Sequence, residues 1–344
     1  MNTPAFPRSS QRAGCLVWRL FLLCFLALSL AASSFARTHF SKVVVFGDSL
    51  SDTGRLYQLT DHAFPLKGAY WQGRMSNGPV WVEQLSHSLR LDGRLHNYAV
   101  TGALTGPTAF EPTGNVWSDT FTGLEGTSLV GQFSSYLAHT GGQVDPEALY
   151  IVEGGANDLI TPLFLLLMSN PTPEAFNLAV YQMTVPIVQN TATMVGTLRQ
   201  LGARFIVVVN IADFGLTPRI LAYGPQASFI VSSVVAAVNG AVDAQIGAIE
   251  AASAFPIARV SAYGVVRSVV GDPVGFGFSE VGDHYMTLDP TTWSVSFATE
   301  HKKDALGWFF WDDLHPTTAG HAVFAEVAEL AIEAAYPGSA ATKK

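Results

Sequence analysis

Cysteine is nearly missing from this sequence. Its two copies, Cys15 and Cys24, sit near the start of a 344-residue chain. Nothing downstream can form a disulfide or a thiolate nucleophile. Charge is scarce as well. Asp, Glu, Lys and Arg make up 13% of the residues, against about 25% in an average soluble protein. Several motifs are also missing. Without Gly-x-Ser-x-Gly there is no ordinary α/β-hydrolase nucleophile elbow. Without His-Glu-x-x-His or a Cys/His cluster, zinc has no ligand set. No phosphate-binding Walker loop occurs, and no cofactor or metal is expected.

Long apolar runs are equally few. The run at residues 20–32 follows Arg8, Arg12 and Arg19 and precedes the small-residue site Ser34-Phe35-Ala36. This is the pattern of a secretory signal peptide cut after Ala36. An uncleaved anchor is the competing reading, but the run is short for a span of about 20 residues. The stretch 163–168 is shorter still and lies between Pro162 and Pro171. Cutting after Ala36 removes three of the 19 basic residues and both cysteines. The 16 that remain face 27 acidic residues, a net charge of −11. So acidic a chain is a poor match for nucleic acid. The expected location is outside the cytoplasm, secreted or periplasmic.

What is present reads as alternating strands and helices. Apolar residues make up 49% of the chain, enough for a large core. Short β-branched runs predict strands at 42–46, 97–100, 148–153, 205–210 and 257–261. Helical spacing joins Phe176, Val180, Met183, Ile187, Met194, Leu198 and Leu201, with a kink expected at Pro186. A second helix is predicted over 229–249 and a last one over 318–335. A shorter one follows Asn77-Gly78-Pro79, with the proline expected in its first turn and Trp81, Leu85 and Leu89 on one face. This alternation implies parallel βαβ units and one sheet covered on both faces, in a single domain over 37–344. Residues 103–142 and 262–310 show weak periodicity and stay unassigned.

Two segments carry the chemistry. Phe46-Gly47-Asp48-Ser49-Leu50-Ser51-Asp52-Thr53-Gly54 follows Val43-Val44-Val45, so a glycine break sets Ser49 at a strand's carboxyl end, where open α/β sheets bind ligands. Trp311-Asp312-Asp313-Leu314-His315-Pro316-Thr317 places an acid three residues before a histidine. A serine hydroxyl needs a base to take its proton, and an acid to orient that base. Each segment alone also fits ordinary turn or helix-cap chemistry. Donors for a developing oxyanion have two sources. Asn97-Tyr98-Ala99-Val100-Thr101-Gly102-Ala103 ends in a glycine that permits close backbone approach. Glu153-Gly154-Gly155-Ala156-Asn157-Asp158 supplies an amide side chain.

These four segments, in this order, resemble the GDSL family of esterases and lipases, the SGNH hydrolases. Gly73-Arg74-Met75-Ser76-Asn77-Gly78-Pro79-Val80-Trp81 resembles the branch with secreted bacterial lipases and phospholipases. The resemblance implies an α/β three-layer sandwich around a parallel five-stranded sheet. It implies Ser49 as nucleophile, His315 as general base and acid, and Asp312 as its orienting partner. The Ser49 and Gly102 backbone N–H groups and the Asn157 side chain would form the oxyanion hole. Two positions depart from the pattern. Thr101 stands where relatives often have Gly and is expected to narrow the cleft. Arg55 stands where they often have Asn and is expected to alter substrate contacts.

The expected activity is hydrolysis of lipid-like acyl esters, of lipase, phospholipase or lysophospholipase type. The enzyme would act through an acyl-enzyme intermediate, as a monomer, on a small-molecule or lipid ester at a lipid surface. The alternatives are a carbohydrate acetyl esterase and, more remotely, a binding module on an esterase scaffold. Phe110, Trp117, Phe121, Phe276, Phe278, Tyr285, Trp293 and Phe297 are candidates to line an acyl cleft.

Overall fold

Four consecutive side chains of the first strand, Val43 to Phe46, are wholly shielded from solvent. A strand buried on both faces must lie inside a sheet with cover on either side. The computed structural model describes residues 39–299 and 302–339. The expected signal peptide, at 1–36, lies outside the described residues. In chain order the elements are β1 (Val43–Phe46), α1 (Arg55–Leu59), α2 (Trp81–Ser88), β2 (Leu95–Asn97), α3 (Leu129–His139), β3 (Leu149–Glu153) and α4 (Ala156–Met168). Then come α5 (Pro173–Gln200), β4 (Phe205–Val209), α6 (Pro218–Leu221), α7 (Pro225–Ala251), β5 (Ile257–Val260) and α8 (Ala262–Gly271). β6 (Glu280–His284), β7 (Met286–Leu288), β8 (Val295–Phe297), β9 (Trp308–Phe310) and α9 (Thr318–Ala335) complete the chain.

Strands β1 to β5 form one parallel sheet in the order β2-β1-β3-β4-β5. Alternation sorts their side chains. Val43, Val45, Leu149, Ile151 and Val207 face α2, α8 and α9. Val44, Phe46, Tyr150, Val152 and Val208 face α3, α4, α5 and α7. Each wholly buried apolar side chain of this size contributes roughly 1.5–3 kcal/mol. The result is the expected three-layer α/β sandwich with a five-stranded parallel sheet. The strand order reverses between β1 and β3, and the crevice at such a switch point is where ligands bind.

Several expectations shift. The second strand, expected at 97–100, occupies Leu95–Asn97 instead. The Asn97 side chain interrupts it, accepting from Ala99 N and donating to Ser51 O. Pairing with β1 nevertheless persists through Tyr98 N→Val45 O and Val100 N→Gly47 O. Helix α5 runs continuously across Pro186. Pro79 lies outside α2, whose first turn is held by Glu83 accepting from Val80 N. Helix α4 forms despite Pro162, which sits in its second turn.

The unassigned stretches hold α3, α8 and the four short strands β6 to β9. Outside α3 and α8, which pack on the sheet, many of their apolar side chains gather in a cluster of their own, which weakens the periodicity. Leu56, Phe64, Tyr70, Leu124, Tyr285 and Trp311 form a third apolar cluster with Trp117, Phe121 and Phe297 at its edge. Among the described residues, α7 alone has the length and apolarity of a membrane span. Its Val231, Val235, Val238 and Ile246 are buried against the sheet.

Candidate active site

Ser49 follows β1 and Asn157 opens α4 directly after β3, so the two flank the switch point. A tight turn sets Ser49 at the end of its strand. Asp48 O accepts from Ser51 N and Asp52 N, and Asp48 Oδ1 accepts from Leu50 N at 3.1 Å. Gly47 has no room for a side chain, since a Cβ there would sit 2.7 Å from Glu153 Oε2. Gln132 of α3 grips Gly47 on both sides, accepting from its N–H at 2.9 Å and donating to its carbonyl at 2.8 Å.

The turn is held from beneath by two buried acids. Glu153 Oε2 accepts from Asp48 N at 3.1 Å and from Ser51 Oγ at 2.9 Å. Burial, with the Asp48 charge beside it, pushes the Glu153 carboxyl well above its ordinary range. Burial raises Asp48 as well. Asp52 accepts from Gly54 N, Arg55 N, Leu56 N, Thr101 N and Thr101 Oγ1. That one carboxylate ties the serine turn to the segment bearing Gly102. Thr101 is therefore an anchor: it lines the cleft, but its hydroxyl is turned to Asp52. Arg55 lies apart from the cleft lining, donating to Tyr98 O at 3.2 Å with its guanidinium 5.4 Å from the Tyr98 ring.

His315 arrives from the opposite end of the chain. Its Nε2 lies 2.9 Å from Ser49 Oγ, and its Nδ1 lies 2.8 Å from Asp312 Oδ2. Asp312 Oδ1 also accepts from the backbone N–H of His315 at 2.6 Å and of Leu314 at 2.9 Å. Burial alone would raise the Asp312 carboxyl. The His315 imidazole and these hydrogen bonds outweigh it and hold the group well below the usual carboxylate range. Asp313 also lines the cleft but is turned to Arg219, with which it pairs through bonds of 2.7 and 3.0 Å.

The histidine loop is stitched to the segment before α2. Ser76 Oγ donates to Pro316 O, Asn77 Oδ1 accepts from Thr318 N, and Trp311 Nε1 donates to Ala69 O. The Gly73-to-Trp81 motif thus acts by holding the loop that carries the base.

Ser49, Gly102 and Asn157 line one cleft of about 650 Å³ together with Asp312 and His315. Among the described residues, the amide nitrogens of Ser49 and Gly102 have no hydrogen-bond partner. Gly102 has φ +81°, and a Cβ there would sit 2.5 Å from Trp117 Cδ1. Only glycine fits that position. Asn157 Nδ2 donates to Ala103 O at 3.0 Å and lies 3.3 Å from Asp48 Oδ2, which fixes its amide. Asp158 beside it accepts from Thr105 N and Thr105 Oγ1, and burial raises its carboxyl to about 7.

Of the eight aromatics expected at the cleft, Trp117 and Trp293 line it. Tyr285 and Phe297 pack on Trp311 at 5.6 and 5.8 Å. Phe278 packs on Phe309, and Phe121 on Phe64. Phe110 and Phe276 are exposed and lie outside the cleft lining. Four of the eight rings therefore pack on other rings and do not line the cleft.

Sequence reasoning gave no role to Tyr70, Gln132 or Glu153. For Tyr70 and Gln132 no signal exists, since both act over long sequence distances. Glu153 had one: a carboxylate closing an otherwise apolar strand.

A parallel α/β sandwich with an acid, an imidazole and a serine hydroxyl in line at its switch point is the architecture of a hydrolase. This chain belongs to the GDSL-like lipase/acylhydrolase family, whose model matches residues 43–328, and is a hydrolase of the esterase/lipase kind. It is 26% identical to the phosphatidylcholine-sterol acyltransferase of Aeromonas hydrophila over 93% of this chain and 98% of that protein. It is 25% identical to the thermolabile hemolysin of Vibrio parahaemolyticus over 83% of this chain and 62% of the hemolysin. Identity to a GDSL esterase/lipase of Arabidopsis thaliana is 25%, over 90% of this chain and 96% of that one.

Proposed function

We propose that this protein is an exported serine esterase that cleaves lipid-like acyl esters. The observation that carries the mechanism is the continuous path from Ser49 Oγ through His315 to Asp312, at 2.9 and 2.8 Å. His315 Nε2 takes the Ser49 proton as Oγ attacks the ester carbonyl. Nδ1–H donates to Asp312, which fixes the tautomer and stabilises the imidazolium. The negative charge that grows on the carbonyl oxygen is met by the Ser49 and Gly102 amides and by Asn157 Nδ2, whose longer bond, 3.3 Å to Asp48 Oδ2, gives way to the oxyanion. The imidazolium then protonates the departing alcohol, leaving an acyl group on Ser49. Water, activated by the same histidine, releases the acid.

The substrate class rests on the cleft wall. Phe64, Met75, Trp117, Met286, Leu288 and Trp293 make it largely apolar. The names of the relatives, an acyltransferase acting on phosphatidylcholine and a hemolysin, agree with a lipid ester. Export is supported by the basic-then-apolar leader at 1–36.

The test is a p-nitrophenyl ester series from acetate to palmitate, run beside lysophosphatidylcholine and acetylated xylan. Turnover should rise with acyl length, because each buried methylene is worth about 0.8 kcal/mol, nearly fourfold per carbon. Best cleavage of acetate and acetyl-xylan would replace this reading with a carbohydrate acetyl esterase. No cleavage of any ester would leave a binding module.

A further inference from the structure

A second chamber of about 660 Å³ lies beside the cleft, between α4, the start of α5, α6 and the start of α7. Its size is within the roughly 300–1,000 Å³ of small-molecule sites. Leu163, Phe164, Leu167, Phe176, Ile230 and Val231 form its walls, and no lining residue carries a charge. Met168 and Tyr223 stand at its rim and are 65% and 54% exposed.

The chamber adjoins the reacting atoms. Ile160 lines both it and the cleft. A small pocket of about 40 Å³, the passage, with Asp48 and Asp213 in its lining, shares Ile160 and Phe214 with the chamber and Ser49, Asn157, Ile160, Leu314 and His315 with the cleft. Phe214 belongs to passage and chamber alike. The cleft, unlike the chamber, also carries polar and charged groups, Arg219, Asp313, His284 and Thr287. A cleft that mixes apolar and charged groups, next to a chamber with no charged lining, suits an amphiphilic ester.

We propose that this chamber is an acyl-chain subsite. The fatty acyl chain of the scissile ester passes between Ile160 and Phe214 and lies among Leu163, Phe164, Leu167 and Ile230. The alcohol part stays in the cleft beside Arg219 and His284. The inference rests on the ester-hydrolase reading and adds the place and class of the chain: unbranched, uncharged, and longer than the passage.

Ala227 lines the chamber and borders neither passage nor cleft, so filling it reads the chamber alone. In Ala227→Trp, the ratio of kcat/KM for the decanoate and butyrate p-nitrophenyl esters should fall at least tenfold from that of the unaltered protein. As a second readout, Ala227→Cys places a thiol in a chamber that otherwise has none. Its maleimide labelling, followed by peptide mapping, should be blocked when Ser49 carries a decyl phosphonate and remain when it carries a methyl phosphonate. An unchanged ester ratio, or equal labelling in both adducts, with long-ester preference intact, overturns the chamber as subsite and leaves the esterase reading standing. Absence of ester cleavage or of any phosphonate on Ser49 in the unaltered protein overturns both.

Discussion

Tyr70 donates its hydroxyl to Asp312 Oδ2 at 2.8 Å, the same oxygen that faces His315 Nδ1 at 2.8 Å. Burial and the neighbouring Asp312 charge raise the Tyr70 phenol well above its ordinary range, so it stays a donor. One carboxylate oxygen therefore serves two partners, while Oδ1 holds the loop backbone. Asp313 has none of these contacts.

The two adjacent acids should thus behave very differently. Asp312→Ala is expected to lower kcat by up to about 10⁴-fold, as in other hydrolase triads. Asp313→Ala breaks a half-exposed ion pair of the kind worth about 0–1 kcal/mol, and should change kcat by no more than about fivefold. Steady-state kinetics of both variants on one ester checks the pair. A larger loss in the Asp313 variant would reassign the acid.

Ser49→Ala is expected to cost on the order of 10⁶-fold in kcat, and His315→Ala about as much, because nucleophile and base act as one unit. Asn157→Ala should cost roughly 10²- to 10³-fold, the usual effect of one oxyanion donor. Mass mapping should find a fluorophosphonate adduct on Ser49. An adduct on another serine would refute the assignment.

Glu153 is expected to work as a protonated clamp. Glu153→Gln keeps an acceptor for Asp48 N and Ser51 Oγ, and should unfold in urea within about 1 kcal/mol of the unaltered protein. Glu153→Ala leaves both donors buried without a partner, at about 1–3 kcal/mol each. Equal midpoints for the two variants would show that the clamp contributes nothing.

Asp158 should impose a pH dependence on stability. Its carboxyl is raised from 3.8 to about 7 in the folded state. Between those values the folded chain binds more protons than the unfolded one, so stability falls as pH rises. Over that window the fall is on the order of 4 kcal/mol. Asp158→Asn should flatten the decline in urea midpoints measured from pH 4 to pH 7. An identical slope in the variant would rule Asp158 out as its source.

The elements that sequence made legible are those that form the central sheet or pack directly on it. β1, β3, β4 and β5 are β-branched runs, and α7 and α9 carry long helical spacings, so all were readable. Ser49, Gly102, Asn157, Asp312 and His315 were legible because each sits at a strand or helix boundary, with a glycine or proline marking the break. Tyr70 and Gln132 were not, because nothing local distinguishes a tyrosine that reaches Asp312 across 242 positions or a glutamine that reaches Gly47 across 85. The cleft aromatics misled for a related reason: a ring that packs on other rings has the same local signature as a ring that lines a groove.

The separation of 266 positions from Ser49 to His315 also sets an order of events in time. A chain made from its amino end, and folding as it emerges, carries its nucleophile long before its base. Until the loop at 311–318 has been made and has docked on Ser76 and Asn77, the hydroxyl has nothing to take its proton. The nucleophile is thus in place before it is reactive, and the docking of the histidine loop is the step that switches it on.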